Sequence, residues 1–340
     1  MESVANIGEW NLIRRIQNML PAIENPEVMV GIGDDAAVLR LDDRRSLLLT
    51  CDIQVENQHF RLRQISPYQL GRRAMAVNLS DIAAMGGQPT LALVSLGFPP
   101  DFPAASFDAL ISGLRDQLAE FSAHIIGGNL SRTSKELIID ITLLGEAPIH
   151  QVLTRSGARA GDRIFVTGRL GESAAGWQAL EKFGPNCPRE FEPLVQKHLQ
   201  PIPRIAAGRL IAQSGFATSM IDISDGLASD LHHICSASGV GAEIYQDQLP
   251  IPQNIELIAA LSSLPVPTLV LHRGEDYELL FTLRPDTPIA VVNSIIQTSG
   301  VSITEVGRIL PKEAGLHLIS PDRQSQALQP TGWNHFRKDE

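Results

Sequence analysis

The sequence predicts an α/β or α+β protein, because short apolar runs rich in Val, Ile and Leu alternate with longer amphipathic segments. Its 340 residues exceed the usual size of one domain and favour two domains of about 150 residues each. Hydrophobic residues make up 44% of the chain and aromatic residues only 5%. The cores must therefore consist mostly of Ala, Leu, Ile and Val, which suits helices layered on sheets.

Two kinds of apolar pattern give the expected order of elements. Runs of strand length lie at residues 28–32, 47–50, 91–96, 138–144, 163–167, 218–221, 242–245 and 278–283. Segments with helical spacing lie at residues 68–85, 107–123, 173–182, 205–213, 225–237 and 255–262. Glycines before the strand at 163–167 indicate a turn between two blocks of elements. We therefore expect an N-terminal domain over residues 1–148 and a C-terminal domain over residues 149–340.

The charge and the cysteine content argue against several classes of protein. The chain has 28 Lys and Arg against 38 Asp and Glu, and its basic residues are scattered, so no nucleic-acid partner is expected. Cys51, Cys187 and Cys235 form no Cys-x-x-Cys pair, so neither a disulfide framework nor a structural zinc site is expected. Without a signal-peptide core or a membrane-length apolar run, the chain is expected to be cytoplasmic, with no membrane partner.

Carboxylates recur where apolar elements end. Asp34 and Asp35 follow the run at 28–32, and a turn is the plain interpretation because Gly and Asp are common turn residues. Since adjacent strand residues point to opposite faces, at most one of this pair is expected to face a given site. Asp52 ends a run of leucines, and we expect it at the rim of a sheet, where ligand sites form in α/β folds.

A predicted helix and a glycine pair extend this pattern. Asn78 and Asp81 lie three residues apart on the helix and therefore share a face. A carboxylate among apolar neighbours requires a cation or hydrogen bonds, which favours a functional role for Asp81. Gly127 and Gly128 follow an apolar run, and glycines of this kind let the backbone approach a phosphate closely.

Acidic residues also border two strands of the C-terminal half. Asp222 and Asp225 stand where a strand meets a helix. Ser224 lies between them, and it either caps that helix or leaves the helix start open to an anion. Three acids within residues 275–278 precede the next strand, and we interpret them as a solvated edge.

The position of these acids predicts a metal site. If the element ends converge, the site holds four or more carboxylates, whose like charges raise one another's pKa. Carboxylate and hydroxyl oxygens suit Mg²⁺, which completes its shell with substrate phosphates. The chain has no P-loop and no kinase catalytic-loop motif, and no Ser-His-Asp arrangement follows from spacing. His59 is the histidine expected near a ligand, whereas His232 and His233 are expected to be structural or surface residues.

The ordered motifs resemble those of the thiamine-monophosphate kinase family. The stretches that carry the resemblance are GIGDDAAVL, TCD with HF, AVNLSDIAAMGG, IIGGN, LTRSGA, DISDGL and GEDYEL, in matching order over nearly the whole chain. The resemblance implies the two-domain fold of aminoimidazole ribonucleotide synthetase, with mixed sheets covered by helices and paired N-terminal domains in a homodimer. It also implies transfer of the ATP γ-phosphate to thiamine monophosphate, giving thiamine diphosphate and ADP by direct in-line attack.

The same resemblance assigns roles to individual residues. The positions that match metal ligands for several Mg²⁺ ions are Asp35, Thr50, Cys51, Asp52, Asp81, Asn129, Asp222 and Asp225. The positions that match ATP contacts are Gly128, Asn129, Arg155 and Ser224, and those that hold thiamine monophosphate are His59, Glu275 and Trp333. No catalytic general base is assigned, because the attacking phosphate oxygen is already ionised near neutral pH. The N-terminal domain would bind ATP and metal and dimerise, and the C-terminal domain would complete the nucleotide and substrate site.

Four departures from the family pattern leave alternatives open. Asn129 replaces a common metal-binding aspartate, and Asn57 replaces a glycine before His59. Gln54 replaces an apolar residue, and the pair 272–273 stands where a second glycine is usual. One alternative is another ATP-dependent synthetase of the superfamily with a different acceptor. The other is a non-catalytic ligand-binding relative that kept the fold.

Overall fold

The structure is a computed structural model that describes residues 3–333. The helices of this part of the chain are α1 (Val4–Ile7), α2 (Glu9–Met19), α3 (Pro67–Ala84), α4 (Ala104–Ala119), α5 (Glu172–Phe183), α6 (Glu192–Leu199), α7 (Ile205–Gln213), α8 (Leu227–Ser238), α9 (Ile255–Ser262), α10 (Val266–Leu271) and α11 (Ile289–Ser299). The strands are β1 (Val28–Val30), β2 (Ala37–Arg40), β3 (Arg45–Val55), β4 (Gln88–Phe98), β5 (His124–Arg132), β6 (Ile138–Pro148), β7 (Arg163–Thr167), β8 (Ala217–Asp222), β9 (Val240–Tyr245), β10 (Leu279–Leu283), β11 (Ile303–Pro311), β12 (Leu316–Ile319) and β13 (Ser325–Ala327).

The first sheet has six strands in the order β1-β2-β3-β6-β4-β5, and only β4 and β5 are parallel. β3 pairs with β6 along its whole length, from Arg45 opposite Pro148 to Val55 opposite Ile138. Helices α3 and α4 pack on one face of this sheet. Side chains alternate along a strand, so the even-numbered residues of β3, including the buried Leu48, point toward the helices.

The second sheet has seven strands in the order β13-β12-β9-β11-β7-β10-β8. Its one parallel pair is β9 with β12, and the other neighbours are antiparallel. Asp222, the last residue of β8, lies opposite Leu279, the first residue of β10. The loop that leaves β8 and the loop that enters β10 therefore emerge at the same edge. Both sheets are mixed and covered by helices, so the α/β (α+β) prediction is confirmed.

Helix α3 connects the two sheets. It begins with a capping box. The Ser66 hydroxyl accepts a hydrogen bond from the backbone N–H of Gln69, and the Gln69 side chain accepts one from the backbone N–H of Ser66. Of its 18 residues, 13 are buried, because its sequence is apolar or small on nearly every face. It contacts β3 and β6 of the first sheet and β8 of the second. Within residues 3–333, no helix is long and apolar enough to cross a membrane.

Local sequence pattern predicted the strongly periodic elements best. The predictions for β7, α7 and α9 match the observed bounds. The prediction missed α11, whose sequence IAVVNSIIQTS is rich in β-branched residues that favour strands. It also missed β11, which carries Thr304, Glu305 and Arg308 and so lacks a continuous apolar run.

Two glycines set the close approach of α3 and α4, which gives a prediction about stability. A Cβ on Gly71 would overlap the carbonyl oxygen of Leu110, and a Cβ on Gly113 would overlap that of Tyr68.

We expect Gly113→Ala to lower the free energy of unfolding by about 1–3 kcal/mol, because the helices must separate. Urea titration measures the change, with the exposed Ala119→Ser on the same helix as control. Equal midpoints for Gly113→Ala and the wild type would contradict the packing described.

Candidate active site

A cleft of about 1070 Å³ receives side chains from both sheets and from α3. Its lining brings together most of the residues that the sequence singled out. They are Asp35, Thr50, Cys51, Asp52, His59, Asp81, Arg155, Asp222, Ser224, Asp225, Glu275 and Trp333. These residues are far apart in the sequence, so the fold alone makes them neighbours.

Three aspartates form the centre of the cleft. Asp35, Asp81 and Asp222 come from the turn before β2, from α3 and from the end of β8, and each offers an oxygen within 4.8 Å of the others. The Thr50 hydroxyl donates a hydrogen bond to Asp81, and the Ser80 hydroxyl donates one to Asp222 at 2.6 Å. Hydrogen bonds from β3 and from α3 thus fix the direction in which the carboxylates of Asp81 and Asp222 point.

Burial and mutual repulsion raise the pKa values of these carboxylates. Asp222 is only 2% exposed, and burial, followed by the charge of Asp35, raises its pKa to about 8. Burial, followed by the charges of Asp52, Asp222 and Asp35, raises the pKa of Asp81 well above its ordinary value. The three groups therefore cannot all ionise near neutral pH unless a cation compensates their charge.

The donor set fits a hard divalent cation. One oxygen of Asp35, Oδ2, is buried and has no hydrogen-bond partner among the described residues. Such an orphaned carboxylate oxygen is costly unless a cation binds it. Carboxylate and hydroxyl oxygens at this spacing are the ligands that Mg²⁺ takes in proteins.

Arg155 contacts both aspartates of the turn before β2. Its guanidinium Nη2 lies 2.6 Å from Asp35 Oδ1, and its backbone N–H lies 3.2 Å from each carboxylate oxygen of Asp34. The expectation that at most one of the pair faces the site was wrong, since both line the cleft. The alternation of a strand does not apply, because both residues precede β2, which begins only at Ala37, and Asp35 lies in a bend.

The helical spacing of Asn78 and Asp81 has the predicted consequence. Asn78 Oδ1 accepts the backbone N–H of Asp52 at 3.2 Å, while Asp81 accepts the hydroxyl of Thr50. Both side chains therefore reach β3 from the same face of α3. The Asn78 amide donates to the carbonyl of Ala74 at 3.1 Å, so this buried side chain is satisfied at both ends.

A second polar group lies where α8 begins. Asp225, Asp230 and His233 offer ligand atoms within 4.8 Å of one another. Burial raises the pKa of Asp225 to about 7 and lowers that of His233 to about 3, so the histidine is neutral. Its ring packs against that of Trp10 of α2, with centroids 3.9 Å apart and an interplanar angle of 41°.

The start of α8 also decides between the two interpretations of Ser224. Gly226 is the N-cap, and its N–H donates to Asp230 Oδ2 at 3.0 Å. Ser224 lies before the cap and lines the cleft, so the capping interpretation was wrong.

His59, Glu275 and Trp333 also line the cleft. The Val55 N–H donates to His59 Nδ1 at 2.9 Å, so a neutral ring carries its proton on Nε2. The buried Arg73 forms an ion pair with Glu275, and the Trp333 N–H donates to the carbonyl of Asp225 at 3.1 Å. Arg73 lines the cleft and was not singled out from the sequence.

The acids around Glu275 are not a solvated edge, so that interpretation was wrong. Asp276 accepts the N–H groups of Gly171 at 2.7 Å and Ser173 at 3.0 Å. Glu278 is 1% exposed and accepts from Arg204 Nε at 2.6 Å. These two side chains hold the loop that presents Glu275, and local charge density could not reveal their burial.

Comparison with known proteins identifies the family. Residues 33–147 match the family model of the AIR synthase related protein N-terminal domain, and residues 159–318 match that of its C-terminal domain. The chain is 34% identical to thiamine-monophosphate kinase of Bacillus subtilis (strain 168), with 97% of this chain and 100% of the relative covered. The chain belongs to the thiamine-monophosphate kinase family. This is a family of enzymes, and the Escherichia coli (strain K12) member is 36% identical, with 97% and 98% of the two chains covered.

A solved structure agrees with this family. AaThiL complexed with AMPPCP and TMP has a TM-score of 0.85 and 32% identity to this chain, and the match covers 98% of this chain and 99% of that one. The similarity therefore extends over both sheets and the cleft between their loops.

Cys51 borders the cleft but its thiol points away from the aspartates, and Gly128 and Asn129 are not part of the cleft lining among the described residues. The thiol of Cys51 lies 3.2 Å from Asp140 Oδ1, on the sheet face opposite Asp52, and burial raises its pKa. Gly128 and Asn129 lie on the edge strand β5 and do not line the cleft of the described chain. A Cβ on Gly128 would overlap the Val94 carbonyl, so strand pairing by itself requires glycine there.

The raised pKa of Asp222 predicts how pH affects the metal-free protein. Between its ordinary pKa of 3.8 and the folded value of about 8, the folded state keeps a proton that the unfolded state has released. Stability should therefore fall as the pH rises through this range. In EDTA, we expect Asp222→Asn to melt above the wild type at pH about 8, and the difference to shrink toward pH about 5.

Thermal melts in EDTA at several pH values check this expectation, with the exposed Asp247→Asn as matched control. The control should follow the wild type at every pH. Added Mg²⁺ should raise the wild-type melting temperature at pH about 8 more than that of Asp222→Asn, because the cation compensates the ionised carboxylates. A difference between Asp222→Asn and the wild type that is constant with pH would contradict the electrostatic account.

Proposed function

We propose that this enzyme transfers the γ-phosphate of ATP to thiamine monophosphate in a Mg²⁺-dependent reaction, giving thiamine diphosphate and ADP. The observation that carries the proposal is the convergence of Asp35, Asp81 and Asp222 in one cleft of a thiamine-monophosphate kinase family member. The similar AaThiL structure with AMPPCP, an ATP analogue, and TMP supports the choice of both substrates.

The acidic half of the cleft would hold the metal ions. The residues that would bind them are Asp35, Thr50, Asp52, Asp81, Asp222 and Asp225. When bound, Mg²⁺ supplies positive charge that neutralises the phosphate oxygens of the nucleotide. Thr50 and Ser80 keep the carboxylates of Asp81 and Asp222 oriented toward the centre of the cleft.

Arg155 and Ser224 would contact the nucleotide, and His59, Glu275 and Trp333 would contact thiamine monophosphate. All five line the same cleft, so a donor and an acceptor can lie end to end within it. Such an arrangement suits direct in-line attack, in which the acceptor phosphate displaces ADP. The attacking oxygen is ionised at neutral pH, so the reaction needs positioning and charge neutralisation rather than a general base.

Asn57 favours the kinase over a non-catalytic relative. It adopts a φ of 66°, in the left-handed region that asparagine tolerates better than most residues. Its N–H donates to the Phe60 carbonyl at 2.8 Å and closes the turn that carries His59. The replacement of the usual glycine is therefore compatible with the turn that carries His59, which supports the proposal.

We also propose that the enzyme is a cytoplasmic homodimer that pairs through the outer face of the first sheet, defined by Leu49, Ile53, Leu91, Leu93 and Leu144. This face lies opposite α3 and α4. Ile53 is 50% exposed and Leu93 is 41% exposed. An apolar sheet face of this kind is stabilised when a second copy covers it. Pairing here would bring β5, with Gly128 and Asn129, to the interface.

The first prediction from this proposal concerns the acceptor. With ATP and Mg²⁺, we expect ADP release to depend on thiamine monophosphate and to stay at background with phosphorylated aminoimidazole precursors. A coupled ADP assay measures both. Turnover with an aminoimidazole precursor would support a synthetase, and no turnover with either would support the non-catalytic relative.

The second prediction concerns the metal centre. We expect Asp81→Asn to lower kcat by at least about 100-fold at limiting Mg²⁺, because one charge of the metal cluster is lost while the side-chain shape is kept. The exposed Asp247→Asn should retain wild-type kcat. Circular dichroism melts report whether the fold is kept. Full activity of a folded Asp81→Asn at limiting Mg²⁺ would contradict the proposed role of this cluster.

The third prediction concerns the homodimer. We expect Leu93→Glu to convert the dimer to a monomer at micromolar concentration, because a buried, unpaired carboxylate disfavours the interface. Sedimentation equilibrium measures the change. Ile289→Glu, at an exposed position of α11, is the matched control and should remain dimeric. A dimeric Leu93→Glu would exclude the outer face as the interface.

A further inference from the structure

One side chain of the cleft has an unused hydrogen-bonding group. Gln54 lines the cleft and is only 5% exposed. Its Oε1 atom has no hydrogen-bond partner among the described residues. Its amide nitrogen lies 3.5 Å from the Ile53 carbonyl, which is the outer limit of a hydrogen bond. Both ends of the carboxamide are therefore poorly satisfied by the protein itself.

The position of Gln54 places it between the acidic cluster and the acceptor end. Thr50, Asp52 and Gln54 are two residues apart on β3 and so point to the same face. β2 pairs with β3 only up to Leu49, so beyond that point β6 is the one strand paired with β3 within residues 3–333. The open edge borders the cleft. Directly after Gln54 the chain enters the turn that carries His59.

A purely structural role does not account for this glutamine. A buried amide without partners disfavours the folded state, and an apolar side chain of the same shape would fill the space at lower cost. Rotation about the terminal torsion exchanges oxygen and nitrogen, so the group can present either atom, or both, to a ligand. The side chain thus has the properties of a recognition group that finds its partner when substrate binds.

We propose that Gln54 determines acceptor specificity by pairing its carboxamide with the aminopyrimidine ring of thiamine monophosphate. That ring carries an exocyclic amine, which donates, beside a ring nitrogen, which accepts. A carboxamide matches such an edge with two hydrogen bonds, as glutamine and asparagine do with adenine. This inference rests on the proposed kinase function, because that function supplies the acceptor.

The experiment compares two acceptors in two proteins. The acceptors are thiamine monophosphate and its deamino analogue, in which hydrogen replaces the exocyclic amine. We expect the wild type to favour thiamine monophosphate by about tenfold or more in kcat/KM, because the analogue leaves the carboxamide oxygen without a donor. In Gln54→Met, an apolar residue of similar shape, the preference should fall below about threefold while the KM for ATP changes less than about twofold.

Two further measurements separate recognition from a structural effect. Gln54→Met should melt no lower than the wild type without substrate, because it removes an unpartnered buried amide. Gln326→Met, on the exposed strand β13, is the matched control and should keep the wild-type preference.

The outcomes distinguish this inference from the function on which it rests. Loss of preference in Gln54→Met with an unchanged melting temperature supports the role of Gln54. An active wild type whose preference is the same in Gln54→Met overturns the role of Gln54 and leaves the kinase function standing. A wild type that does not phosphorylate thiamine monophosphate overturns both.

Discussion

The burial of three carboxylates within 4.8 Å of one another is the constraint on which the rest of this structure depends. Like charges at this distance repel strongly when burial shields them from bulk water. The fold holds them by specific hydrogen bonds, from Thr50 to Asp81 and from Ser80 to Asp222. Both bonds involve α3, so a helix buried on nearly every face is needed to join the two sheets at this point.

Burial of these carboxylates lowers the stability of the metal-free protein, but it creates a site that a cation can bind. The free protein keeps protons on groups such as Asp222, whose pKa is raised to about 8, or else bears uncompensated charge. The cation that the proposed reaction requires would remove that cost, so metal binding would stabilise the folded state of the cleft. Asp35 shows the same imbalance. One of its carboxylate oxygens forms an ion pair with Arg155, and the other is buried without a hydrogen-bond partner among the described residues.

The two proposed ligands of the cleft would be recognised by different kinds of interaction. For the proposed nucleotide and Mg²⁺, charge and oxygen ligands would be sufficient, because phosphates and magnesium are recognised by electrostatics. For the proposed acceptor, recognition would depend on shape and on hydrogen bonds from individual side chains. The loop of Glu275 is held by the buried Asp276 and Glu278, and the turn of His59 is held by the left-handed Asn57. Departures from the family pattern are therefore most informative there.

The sequence by itself determined the alternation of strands and helices, because periodicity and residue type are local properties. It also placed Asp222 at the end of a strand, whereas Asp52 lies inside β3, which the local pattern predicted to end at residue 50. It also predicted that Asn78 and Asp81 share a face. Only the tertiary structure decided which acids meet, since Asp35, Asp81 and Asp222 are joined by contacts that no local pattern contains. The same reason explains the errors: the bend at Asp35 interrupts strand alternation, and the burial of Asp276 depends on N–H groups about a hundred residues away along the chain.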